Sequence, residues 1–166
     1  AIVQSRSRIG DWEGDTLIGR HHRGVLVSWV ERKSGYTLLA AMPQRTAQAF
    51  REATVKLLRP FKTRVHTLTL DNGTEGAQHE RIAQSLKTRV YFAHPYAPWE
   101  RGTNENTNGL IRQYFPKRRN LNTVTQQELD HAMQRLNHRP RARLGFKTPF
   151  EVIFHTKTLL TVELLT

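Results

Sequence analysis

Gly24-Val25-Leu26-Val27-Ser28-Trp29-Val30-Glu31, then Lys33-Ser34-Gly35, then Tyr36-Thr37-Leu38-Leu39-Ala40 is the stretch on which the fold turns. Val25, Val27 and Trp29 alternate with Leu26, Ser28 and Val30, so an extended backbone here is apolar on both faces. Such a strand belongs inside a sheet covered by helices on both sides, and residues 24 to 31 are read as a central strand. Lys33-Ser34-Gly35 is a turn signal, and the second run pairs back as an antiparallel hairpin. Upstream, Trp12 to Ile18 supplies a first strand.

Downstream the periodicity changes. Phe50, Ala53, Leu57 and Leu58 recur at helical spacing from Thr46 until Pro60 stops the run. Val65 to Leu70 is a short β-rich segment ending at Asp71-Asn72-Gly73, and Ile82, Ala83 and Leu86 form another helical stripe. Val90-Tyr91-Phe92 follows as a short strand. His94-Pro95-Tyr96-Ala97-Pro98 cannot be regular helix, because each proline removes a donor and pushes its predecessor toward extended geometry. That loop leads into a helix holding Asn104 to Tyr114 and ending at Pro116. Thr125 with Glu128 makes a capping box ahead of Leu129, Ala132, Met133 and Leu136, and Thr148-Pro149-Phe150-Glu151 opens a last short helix in the same way. The order β-β-β-α-β-α-β-α plus further helix predicts an α/β domain of ribonuclease-H-like type: a mixed five-stranded sheet flanked by helices.

A chain of 166 residues is the size of a single domain with a substantial core, and residues 1–166 are read as one. Its 26 Lys and Arg outweigh 14 Asp and Glu, giving a formal charge of +12 and a pI of about 10.9. That balance favours a polyanionic partner, nucleic acid first. The basic residues are mostly arginines scattered over several segments, without the lysine-rich amphipathic helix of a membrane-surface protein. No apolar run is long enough to span a bilayer and the first residues lack a signal-peptide profile, so a soluble, cytoplasmic protein is expected. With no cysteine in the chain, any metal must take oxygen or histidine ligands.

The chemistry rests on carboxylates. Phosphodiester cleavage without a covalent intermediate needs an activated oxygen nucleophile and a neutralised leaving oxygen, which two magnesium ions about 3.5–4 Å apart can supply. Few protein carboxylates suffice to hold such ions. Asp71 ends the fourth strand, Glu105 lies early on the helix after the proline loop, and the first strand carries Asp11, Glu13 and Asp15 on one face. Alternation alone does not choose among those three. Taken singly, Asp-Asn-Gly is a turn signal and Trp-Glu-Gly-Asp could be a bulge. Taken jointly with a run of amides around Glu105, which is poor helix-forming material, they point to a site. Arg101, Glu105, Asn108 and Arg112 share one helix face, as either a solvated salt-bridged stripe or groups holding phosphates beside metals. The eight histidines include no His-x-x-x-His pair, so a zinc hydrolase is not indicated; His21 and His22 are read as exposed turn residues.

Trp12-Glu13-Gly14-Asp15, Asp71-Asn72-Gly73 with Glu75, and the run from His94-Pro95-Tyr96-Ala97-Pro98-Trp99 through Glu100-Arg101-Gly102-Thr103-Asn104-Glu105-Asn106 resemble the catalytic core of bacterial insertion-sequence transposases. These belong to the DDE, retroviral-integrase-like superfamily, and the insertion-sequence-thirty family is the best match. The resemblance spans nearly the whole chain. It implies Asp15 as first acid, Asp71 as second and Glu105 as third, together holding Mg2+, with Mn2+ as substitute, as a pair of ions. It implies DNA cleavage followed by strand transfer through direct transesterification. Arg101 and Arg112 match basic residues that flank the glutamate in related cores; with Asn108 and the Lys117-Arg118-Arg119 cluster they are the candidate DNA contacts. Partners are then transposon ends and target DNA, with a homo-oligomer as the active complex, in a bacterial cytoplasm and associated with the nucleoid. One departure is Gly76, where such cores carry a bulky aromatic and this chain lacks that apolar anchor. Helix-turn-helix segments upstream of such cores are missing here, so a core fragment is expected. The alternatives are a non-catalytic DNA-binding or assembly module and a ribonuclease-H-type nuclease.

Overall fold

The computed structural model describes residues 5–71, 73–94 and 102–156. Five strands form one mixed sheet in the order β3-β2-β1-β4-β5, with β1 Asp11–Ile18, β2 Val25–Glu31, β3 Thr37–Met42, β4 Thr67–Leu70 and β5 Arg89–Phe92. The first three strands are antiparallel neighbours, while β4 joins β1, and β5 joins β4, in parallel. Parallel neighbours need crossovers, and two of the five α-helices among the described residues provide them. α1 Ala47–Leu58 links β3 to β4, and α2 His79–Leu86, preceded by a 3-10 turn over Thr74–Gln78, links β4 to β5. α3 Gly102–Tyr114, α4 Gln126–Asn137 and α5 Pro149–Phe154 follow.

The two-faced β2 is where the sequence places it. Val25, Val27 and Trp29 enter one buried cluster with Trp12, Leu68, Phe50, Leu58, Ile82 and Ile153, between the sheet and α1, α2 and α5. Leu26 enters the other with Leu17, Leu39, Ile111, Phe115, Leu129 and Leu136, under α3 and α4. Trp12-Glu13-Gly14-Asp15 is regular strand, not a bulge, and Gly14 is required there. Its Cβ position would lie 2.6 Å from Trp29 Cη2, so the indole lies against bare backbone. Trp29 is fully buried and donates its Nε1–H to Thr54 on α1 at 3.1 Å.

Helix ends follow the sequence signals. Thr46, Thr125 and Thr148 each cap a helix through the side-chain oxygen, and the last two form complete capping boxes with Glu128 and Glu151. β3 is an edge strand whose backbone is answered from α4. Asn137 accepts from Thr37 N and donates to Thr37 O, both at 2.8 Å, in the manner of a neighbouring strand. No helix among the described residues is long and apolar enough to cross a membrane. Pro95, Tyr96, Ala97, Pro98, Trp99 and Arg101 lie outside the described residues.

Candidate active site

β1 offers three acids on one face, and their surroundings separate them. Asp11 is buried and accepts from Nη2 and Nε of Arg8, at 2.8 and 2.9 Å, and from the hydroxyl of Thr67 at 2.7 Å. Burial alone would raise its pKa, but the hydrogen bonds from Arg8 and Thr67 outweigh that and hold the carboxyl below its ordinary value. Glu13 is fully buried against Arg32, with Oε1 3.0 Å from Nε in an ion pair whose N–H is not aligned for a linear hydrogen bond. Both acids thus hold the sheet to its own arginines. Asp15, two residues further on, is half-buried and faces α3. Its Oδ1 accepts from Thr16 N at 2.9 Å and its Oδ2 from the Asn108 carboxamide at 2.7 Å.

Asp71 is brought to Asp15 by strand register. β1 and β4 pair in parallel as Asp11 with Thr67, Trp12 with Leu68 and Glu13 with Thr69. The same offset carried two residues further sets Asp15 opposite Asp71, just beyond Leu70 where β4 ends. Parallel neighbours lie about 4.8 Å apart with opposed residues on one face. Asp71 is exposed and its Oδ1 accepts from Gly73 N at 3.0 Å, so Asp71-Asn72-Gly73 is a turn as well as a strand end. Glu105, exposed in the first turn of α3, precedes Asn108 by three residues, roughly 4.5 Å along the helix axis and on the same face. The α3 residue that touches Asp15 is therefore the helical neighbour of Glu105.

No group of three Asp, Glu or His among the described residues is gathered closely enough to hold a metal ion. Three anions repel one another without a cation, and Asp71 is turned toward Gly73. The donor set nonetheless suits a hard cation: carboxylate oxygens only, two on opposed strand positions and one a helical turn from Asn108. Two buried polar atoms beside Asp15 add capacity. Asn108 Oδ1 and Ser28 Oγ have no hydrogen-bond partner, and Ser28 is paired across the sheet with Asp15. The sequence places Asn108 with the phosphate contacts and marks Ser28 only as a strand residue. The i, i+3 relation of Asn108 to Glu105 was the available signal for the first; register was needed for the second.

The candidate DNA contacts divide. Arg112 donates to the carbonyls of Ile18 at 3.1 Å and Phe115 at 3.4 Å, and burial lowers its pKa. It fastens α3 to β1. Arg119 pairs with Glu128 at 2.8 Å and lies over the Phe115 ring. Lys117 and Arg118 are exposed in the turn after α3. His21 and His22 are exposed, both at positive φ, as expected of a turn.

Gly76 is buried, and its missing side chain is accounted for. A Cβ there would lie 2.9 Å from Phe92 Cε1 and 3.6 Å from Leu70 Cδ1. Phe92 from β5 occupies the volume, with the His79 ring edge-on to it at 5.0 Å between centroids.

Residues 6–98 match the integrase core domain family. The chain is 44% identical over 150 residues to the transposase for insertion sequence element IS4351 of Bacteroides fragilis, covering 90% of this chain and 46% of that protein. It is 43% identical over 152 residues to the transposase InsI for insertion sequence element IS30A of Escherichia coli, covering 91% of this chain and 39% of the relative. It thus spans about half or less of the length of these curated relatives. Among solved structures, the catalytic core domain of BIV integrase superposes with a TM-score of 0.70 at 22% identity, over 89% of this chain and 95% of that one. A chain of the simian T-cell lymphotropic virus intasome gives 0.71 at 24%, over 90% and 55%. These two likenesses carry the fold, and the sequence matches carry the family. The chain belongs to the integrase core domain family, alongside the insertion-sequence transposases.

Proposed function

We propose that this domain is the catalytic core of a DDE transposase, cutting DNA at the ends of an element and joining the released strand to a target. What supports the reading most is one arrangement. Asp15 and Asp71 come opposite each other by register on the face of the sheet under α3, and α3 reaches Asp15 through Asn108, one turn from Glu105. Asp15, Asp71 and Glu105 would hold the divalent ions, Mg2+ or Mn2+, as a pair. Such ions, when bound, supply Lewis-acid activation of the attacking oxygen and charge stabilisation on the leaving oxygen.

In the first step a water oxygen bonds to phosphorus while the P–O3′ bond breaks, leaving a 3′-hydroxyl and a 5′-phosphate. In the second that 3′-hydroxyl bonds to a target phosphorus while the target's own P–O3′ bond breaks. Both are in-line displacements at phosphorus, so one site serves both. The chain's part is orientation: Asn108 fixes the Asp15 carboxylate, the Arg112 contact with Ile18 O fixes α3 against β1, and exposed Lys117 and Arg118 hold backbone phosphates without reading sequence. The active complex would be a homo-oligomer, since two element ends must be joined together.

The test is strand transfer on a branched DNA substrate with Mg2+ or Mn2+, comparing wild type with Asp71→Asn and Glu105→Gln. Each variant is expected to lose activity by roughly a hundredfold or more while remaining folded. Equal activity in all three would contradict the assignment.

A further inference from the structure

The segment between α4 and α5 carries a feature that the site does not use. From Arg139 to Lys147 it contains Arg139, Arg141, Arg143 and Lys147 and no acid. At its tip Phe146 is 75% exposed, the largest exposure among the exposed large apolar side chains described. Its backbone sits at φ +65°, a region bulky residues avoid, directly after Gly145 at φ +63°.

The loop holding it is closely tied. Leu144 N and Phe146 N both donate to Arg141 O, at 3.0 and 2.9 Å, Gly145 N donates to Ala142 O at 3.0 Å, and Arg141 N donates back to Lys147 O at 3.0 Å. Arg143 Nη1 donates to Lys33 O at 2.9 Å, fixing the loop against the β2–β3 turn. Phe146 also walls a groove of about 640 Å³ with Lys33, Lys147, Val152, His155 and Glu151. Glu151, the acid of this groove, has its carboxylate on Thr148 N at 2.8 Å, in the capping box of α5. A fixed backbone thus presents an aromatic ring to solvent at a conformational cost, in a groove that holds Lys33 and Lys147.

A lone exposed phenylalanine needs no explanation, but a strained one on a pinned basic loop does. The lysines of this groove and the basic loop disfavour another basic surface, a second copy of this +12 chain included, and favour a polyanion with flat apolar faces. We infer that this loop is a second nucleic-acid contact, with Phe146 stacking on a base or wedging between base pairs while Lys33 and Lys147 hold the flanking phosphates. The contact is separate from the reacting phosphodiester. Ser28, opposite Asp15, and Glu31, the end of β2 beside the loop, are three residues apart on one strand, on the order of 10 Å. The inference rests on the proposed DNA-joining function and adds a binding surface to it.

Phe146→Gly removes the ring and also suits the positive φ, so loss of binding cannot be laid to unfolding. Binding is read by fluorescence anisotropy with a labelled DNA duplex bearing a short single-stranded end, at fixed salt. The expected result is an unchanged or raised melting temperature for Phe146→Gly with DNA affinity lowered roughly tenfold. Phe146→Trp should keep the affinity and show quenching of the added indole fluorescence on binding. Unchanged affinity of Phe146→Gly beside intact strand transfer by wild type overturns this inference alone. A wild type that binds no DNA overturns it together with the function on which it rests. A shift in oligomeric state of Phe146→Gly, with DNA affinity unchanged, assigns the loop to a second copy and likewise overturns it.

Discussion

A Cβ at position 76 would fall 2.9 Å from the ring of Phe92, so Gly76 and Phe92 share one volume between β4, β5 and the 3-10 turn. The family resemblance implies only that an aromatic is missing at 76; that a strand residue sixteen positions later fills the space is a tertiary fact. Gly76→Phe should lower stability by about 1–3 kcal/mol through overpacking. Gly76→Phe combined with Phe92→Gly should recover much of that loss in urea denaturation, and two additive losses would show that the residues do not share the space. Asn108 is the other informative residue, because its carboxamide links α3 to the Asp15 carboxylate. Asn108→Ala should leave the fold intact and reduce strand transfer by about 10- to 100-fold, the usual weight of a group that orients a metal-holding carboxylate. Choosing Asp15 over Asp11 and Glu13 is beyond alternation, since all three share a face, and rests on the family resemblance. Their partners support it: Arg8 and Thr67 hold Asp11, Arg32 holds Glu13, and Asp15 meets α3.

Elements were legible where the determining contacts are local. Thr125 with Glu128 and Thr148 with Glu151 are read three residues apart, and both capping boxes are formed. The two-faced β2 and the hairpin were equally plain, because apolar alternation and a turn signal lie within twenty residues. The bond between Asn137 and the Thr37 backbone was not legible, as it joins groups a hundred residues apart in chain. Without it the edge strand loses both a donor and an acceptor partner beneath α4. Asn137→Ala should therefore cost about 1–3 kcal/mol in urea unfolding. Arg112 makes a comparable point about function: charge and spacing recommend it as a phosphate contact, whereas its guanidinium donates to Ile18 O and Phe115 O. Arg112→Ala is expected to lower the melting temperature, and an unchanged one would free the residue for DNA.

At the scale of the whole molecule, charge sets the terms. Exposed Lys117 and Arg118 lie in the turn after α3, in a chain of net charge +12. Replacing either with alanine should weaken DNA binding and reduce the slope of log affinity against log salt by roughly one unit, leaving stability unchanged. Stability in acid hangs on the other end of β1. Asp11 is held below its ordinary pKa when folded, so its contribution is complete above the unfolded value of about 3.9 and is lost as pH falls below it. Asp11→Asn should be less stable than wild type at neutral pH, with the gap narrowing below about pH 4. Strand register sets the segments carrying Asp15 and Asp71 side by side in the middle of the sheet, and α3 packs against β1.

Whether Asp15, Asp71 and Glu105 act as one site is tested most directly by crystals of the domain bound to DNA in Mn2+, read by anomalous scattering. The expected result is manganese peaks about 2.1–2.2 Å from carboxylate oxygens of Asp15 and Asp71, with Glu105 drawn in to complete the site. Peaks held by other residues, or Asp15 still bonded to Asn108 with no manganese beside it, would contradict the assignment.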